Sequence, residues 1–297
     1  MLSANLNKYH TQTFFFLSLI FYFLNFNLNN KYISIICFFL ISTIGVSHGA
    51  LDNLKGIRLL KKFKIKNNFP FYLSYIAIAF VVVLLWLILP MITLLLFLIV
   101  ASFHFGKEDN VFVQRKNIKF LEFLLFLKGS LVISAPLYFH ADQTIEIFEI
   151  LDVNISYINS NLLLGVIILS LASNYFINKD FLLSFLDSIS IVLLNYTFSP
   201  LIAFTIYFCF LHSVRHSFSL IFEINIKNFK KGSIKFLKLA LPLTIITCVV
   251  FLLSVYFLNH FYLLDSAILK VVFIGLASLT FPHILLEYLL EKNDKKS

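Results

Sequence analysis

Five of the eight histidines in this chain stand where an apolar run gives way to polar residues. His48 lies in "STIGVSHGALDNLKG", His104 in "SFHFGKED", His212 and His216 in "LHSVRHS", and His283 in "FPHILLE". His212 and His216 are i and i+4, so a helix projects both rings from one face, a spacing that suits two ligands of one metal ion. The other three each have a carboxylate one helical turn onward: Asp52 after His48, Glu108 after His104 and Glu287 after His283. A metal-bound imidazole usually donates its second N–H to a carboxylate or carbonyl, which fixes tautomer and ring orientation. The pattern predicts a metal centre built from these histidines, with Asp52, Glu108 and Glu287 steadying the rings directly or from a neighbouring helix.

The elements that must carry them are membrane helices. The chain has 297 residues, of which 60% are hydrophobic and only 13% charged. A mean hydropathy of +0.90 exceeds what a soluble domain of this size can bury. The apolar runs are continuous and lack the alternation of a β-barrel. The expectation is an all-α, polytopic transmembrane bundle forming one integral-membrane domain over residues 1–297, with a polar tail at 1–12 and a charged tail at 292–297. Hydropathy gives about ten spans (eight to ten): 13–28, 31–50, 70–89, 91–106, 118–138, 161–178, 181–197, 200–220, 236–258 and 268–290. The first is expected to be an anchor and not a removed signal segment, because no small-residue cleavage site follows it.

Basic residues orient the bundle. Lys55, Arg58, Lys61, Lys62, Lys64 and Lys66 follow the second span, and Lys107, Arg115, Lys116 and Lys119 follow the fourth. Lys227, Lys230, Lys231, Lys235 and Lys238 follow the eighth, and Lys292, Lys295 and Lys296 end the chain. With ten spans all of these share one side, while the opposite loop 139–160 carries Asp142, Glu146, Glu149 and Asp152. Both termini and the five histidines are therefore expected at the cytoplasmic face of the plasma (inner) membrane. The net charge of +9 then faces anionic lipid, with no nucleic-acid partner. His10, His140 and His260 are expected in solvent.

Imidazoles suit Fe, Zn, Cu or Ni; Cys37, Cys209 and Cys248 offer no thiolate spacing. Membrane di-iron hydroxylases and desaturases use a larger histidine set in HxxxH and HxxHH boxes. One HxxxH and no HxxHH favours a single ion, although the nearby carboxylates leave a bridged pair open.

The ordered set "SHGALD", "SFHFGKED", "LHSVRHS" and "FPHILLE" resembles the Brp/Blh family of membrane β-carotene 15,15′-dioxygenases. The resemblance runs from about the second span to the tenth. It implies a non-haem Fe(II) enzyme that splits β-carotene with O2 at the central double bond into two molecules of all-trans-retinal, with a functional link to a microbial rhodopsin that uses the retinal. It further implies His48, His104, His212 and His216 as iron ligands, Asp52 in a supporting role, and His283 behind the ligands or in the substrate cavity. Phe103, Phe105, Phe208 and Phe281, next to the histidines, are the candidate substrate-binding residues. Two other readings compete. One is a membrane di-iron hydroxylase or desaturase; the other is a non-enzymatic transporter with a histidine-lined path, which a cluster confined to one face of the membrane disfavours.

Overall fold

The computed structural model describes residues 2–24, 32–115, 118–155 and 158–294, without the side chains of residues 2–4 and His48. Among the described residues eleven helices follow one another: α1 Leu2–Leu24, α2 Ile33–Lys62, α3 Phe69–Ile88, α4 Pro90–Glu108, α5 Leu121–Phe139, α6 Ala141–Ile150, α7 Ser160–Ile177, α8 Phe181–Thr197, α9 Pro200–Ile224, α10 Phe229–Leu258 and α11 Leu264–Asp294. There is no strand among the described residues. Eight of the helices are long and apolar enough to cross a bilayer, and apolar α8 is shorter at 17 residues. The predicted spans fall on α1 to α5 and α7 to α11, with ends displaced by up to two turns except at the start of α1 and the end of α2, which each reach about three turns further. The first of them, 13–28, runs past Leu24 into residues outside the described ones.

The polar segment 1–12 is not a tail. Its described part is the first half of α1, held down because Thr11 accepts a 2.6 Å bond from Arg215. His10 is half-buried, with Nε2 2.9 Å from the carbonyl of Phe210 and its ring edge-on to Phe218. It was expected in solvent; the helix that carries it packs on α9 instead. At the other end, α11 continues to Asp294, which pairs with Lys62.

Close packing near the centre is set by α4 and α5. A methyl on Gly106 would lie 1.8 Å from the carbonyl oxygen of Leu125, and one on Gly129 would lie 1.8 Å from that of Ser102. The two backbones touch through these glycines, as small residues allow between membrane helices. Each end of the bundle is tied separately. Lys107 pairs with Glu291 at 2.5 Å, and Arg115 Nε donates to Asn178 at one end. At the other, Ser34 bonds Asp265 at 2.5 Å and Lys270 bonds Asp152 at 2.6 Å.

Candidate metal centre

Two helices depart from α geometry where they carry histidines. In α2 a π turn, Ile41–Gly45, runs into a 3-10 turn, Val46–Leu51, which holds His48. In α9 a π segment, Tyr207–Ser213, holds His212, and regular helix resumes before His216. Such π turns inside α-helices are frequent at functional sites. They free carbonyls that buried backbone must satisfy elsewhere. Ser213 Oγ donates to the carbonyl of Gly45 at 2.9 Å, tying one π segment to the other, and His10 serves Phe210.

Four imidazoles meet where these helices face α4 and α11. The ring of His104 lies 5.2 Å from that of His212 and 5.3 Å from that of His283, and His283 lies 5.9 Å from His216. All four are buried. Three have Nδ1 on a carboxylate of another helix or its cap. His212 meets Asp109, at the C-cap of α4, at 2.9 Å; His216 meets Glu108 of α4 at 2.9 Å; His283 meets Asp52 of α2 at 2.8 Å. An ionised carboxylate accepts there, so each ring carries its proton on Nδ1 and presents the Nε2 lone pair. Two of these acids are themselves oriented by phenols: Tyr207 donates to Asp109 at 2.5 Å and Tyr75 donates to Asp52 at 2.9 Å.

Of the two arrangements expected for the acids, along their own helix or from a neighbouring one, Glu108 and Asp52 show the second. Glu108 serves His216 and not His104, while Asp52 serves His283. Glu287 lies 3.8 Å from Nε2 of its own-helix neighbour His283 and 4.0 Å from Nε2 of His216, but its strongest contact is Lys55 at 2.8 Å. Asp109, Tyr75, Tyr207 and Lys55 were not among the residues singled out as functional. Only Asp109 had a signal, standing beside Glu108 in "GKED". His48 lies outside the residues whose side chains are described; its chain neighbour Gly49 is close enough that a methyl there would sit 3.9 Å from Nδ1 of His283. Arg215, between the two histidines of HxxxH, faces away from the centre: both terminal nitrogens bond Asp187 of α8 at 2.7 Å.

An apolar cavity of about 270 Å³ adjoins the centre at His283 and Asp52. Its back wall is Leu276, Leu279 and Thr280 of α11, and its sides are Tyr72, Tyr75 and Ile76 of α3 and Leu243, Thr244 and Thr247 of α10. Of the four phenylalanines expected to bind substrate, Phe208 lines it. Phe105 instead packs its ring 5.0 Å from that of His212 on the closed side, Phe281 packs on the main apolar core, and Phe103 is half-buried outside the cavity lining.

The sequence profile of the β-carotene 15,15′-dioxygenase family matches residues 39–291. The chain belongs to that family. A curated relative named β-carotene 15,15′-dioxygenase, from an uncultured marine bacterium (66A03), is 29% identical over 259 residues, which is 83% of this chain and 90% of the relative. No solved structure matches the chain. An enzyme of the dioxygenase type is thereby established. The family match spans α3 to α10 whole, with most of α2 and α11, and so includes all five histidines and the acids around them; α1 lies outside it.

Proposed function

We propose that this protein is a non-haem iron(II) dioxygenase of the plasma membrane that cleaves β-carotene with O2 at the central 15,15′ bond to two all-trans-retinal molecules. The reading rests above all on the four buried imidazoles, three with Nδ1 docked on Asp109, Glu108 and Asp52, beside an apolar cavity. That donor set fits a borderline metal and leaves Nε2 as the ligating atom. His104, His212, His216 and His283 would hold the iron, with His48 a fifth candidate by its place in the chain. When bound, the iron would supply the O2 activation that side chains cannot.

The remaining work belongs to the protein. Asp52, Glu108 and Asp109 keep a proton on each Nδ1 and hold three rings still. Lys55 neutralises Glu287, which would otherwise add an uncompensated charge to a buried site. Val46, Leu276 and Leu279 keep water from the polyene. The concentration of Lys and Arg at the histidine end supports a cytoplasm-facing centre, and retinal released there would serve a retinal-binding rhodopsin.

The test is direct. Purified protein is expected to hold about one iron per chain, and cells supplied with β-carotene to yield retinal. Substituting His212→Ala together with His216→Ala removes two of the proposed ligands and should abolish both; full activity in that protein would sink the assignment. A two-metal reading has one observation in its favour: His104, His283 and Glu287 form one group of converging ligand atoms within 4.8 Å, and Glu108, His216 and Glu287 form another. It requires Glu287 to leave Lys55 and bridge, and it predicts about two irons per chain.

A further inference from the structure

The cavity beside His283 is walled on two sides by the helices most exposed on the outside of the bundle. Only 11% of the apolar window of α3 and 11% of that of α10 is buried, against 33% to 61% for the other six long spans. Each of the two packs on α11, and the cavity lies between them. Its side residues are also outer-surface residues: Ile76 is 66% exposed and Tyr72 is 39% exposed. One continuous surface thus runs from the lipid-facing side of the molecule to the imidazole of His283.

We propose that the seam between α3 and α10 is the door through which a carotenoid slides from the bilayer to the metal centre, with Tyr72 and Ile76 as one jamb and Leu243 and Thr247 as the other. This rests on the carotenoid-cleaving reading above. An apolar C40 polyene partitions into the hydrocarbon layer, so a route across the aqueous end of the bundle would cost it that environment. That end is also closed by charge: Lys55 with Glu287, Glu108 with His216, and Arg58 with Glu223. The seam, by contrast, offers hydrocarbon. The Thr244 hydroxyl is turned back on its own helix, donating to the carbonyl of Ala240 at 3.0 Å, and the Tyr75 phenol is committed to Asp52. Residues 72, 75 and 76 share one face of α3. A molecule moving along that face therefore passes Tyr72 and Ile76, then Tyr75, whose partner Asp52 holds the ring of His283.

The experiment fills the seam with tryptophan in the full chain, in cells that accumulate β-carotene. Ile76→Trp and Thr247→Trp are read separately for retinal yield, iron per chain and amount of folded protein. Ile245→Trp is the control: Ile245 is 57% exposed on the same helix but outside the cavity lining. The expected result is retinal yield reduced tenfold or more in the two seam variants, with iron and folded protein as in the parent and the control active. If either seam variant keeps parental yield, the door is elsewhere. Loss of iron in both, or equal loss of yield in the control, also overturns the proposal, since the effect would then come from the helix and not the opening. A parent protein that makes no retinal would overturn the carotenoid reading itself, which separates the two failures.

Discussion

Asp109 illustrates what one residue contributes at this centre. It accepts two bonds at once, from the ring of His212 at 2.9 Å and from the phenol of Tyr207 at 2.5 Å. A carboxylate has the lone pairs for both, whereas an amide has one accepting oxygen and a nitrogen that only donates. In an Asp109→Asn protein the amide nitrogen must face one of the two partners. Facing His212, it drives the ring proton to Nε2, the atom proposed to bind iron. Iron affinity or activity should fall by about 10–100-fold, the usual consequence of losing such a partner. Iron titration and retinal yield measure it, and a protein with unchanged values for both would show that Asp109 does not set the tautomer. The histidines themselves were legible from the sequence, because they are rare polar residues at the ends of apolar runs. Their partners were not. Asp109 and His212 are 103 residues apart, so no local spacing encodes the pair. The i, i+4 acids were visible, but spacing left open whether each serves its own helix or a neighbouring one, and Glu108 is directed across to His216.

Helices α4 and α5 show how an element holds three of these residues in place. His104, Glu108 and Asp109 all ride on the end of α4, whose position is fixed by the glycine contact with α5. Since a methyl on Gly106 or Gly129 would meet a backbone carbonyl at 1.8 Å, no side chain can rotate away to make room. Gly106→Ala or Gly129→Ala must push the helices apart, at a cost of about 3 kcal/mol or more, the upper end for overpacking. Thermal unfolding in detergent should reveal the loss, and iron content should fall with it. An Ala variant as stable and as iron-loaded as the parent would mean that the two helices are not rigidly coupled to the centre. The helices were readable in advance because membrane length and apolar composition demand them. The π turns at Ile41–Gly45 and Tyr207–Ser213 were not, since their hydrogen-bond shift is decided by Ser213 meeting Gly45 and by His10 meeting Phe210, contacts between distant segments.

Across the whole molecule, the two ends differ in charge as well as in ties. One end gathers Lys62, Lys107 and Arg115 with the histidine layer just inside it, and the other carries Asp142, Glu146 and Asp152. This asymmetry was legible at once because it is a sum over loops and needs no contact to be known. The tie between Arg215 and Asp187 is the opposite case: a pair buried between α8 and α9 that no loop count anticipates. On the excess of Lys and Arg we propose that the first end faces the cytoplasm, where such loops are retained during insertion. The assignment is tested by single cysteines in a chain whose Cys37, Cys209 and Cys248 are replaced. Asp142 and Lys66 are both exposed, at opposite ends. A membrane-impermeant maleimide should label Asp142→Cys on intact cells but reach Lys66→Cys only after the membrane is opened. The reverse pattern would turn the bundle over and place the imidazole layer at the outer face. Because the proposed door opens into the hydrocarbon between α3 and α10, β-carotene could still enter from the bilayer in either orientation; only the side on which retinal emerges would change.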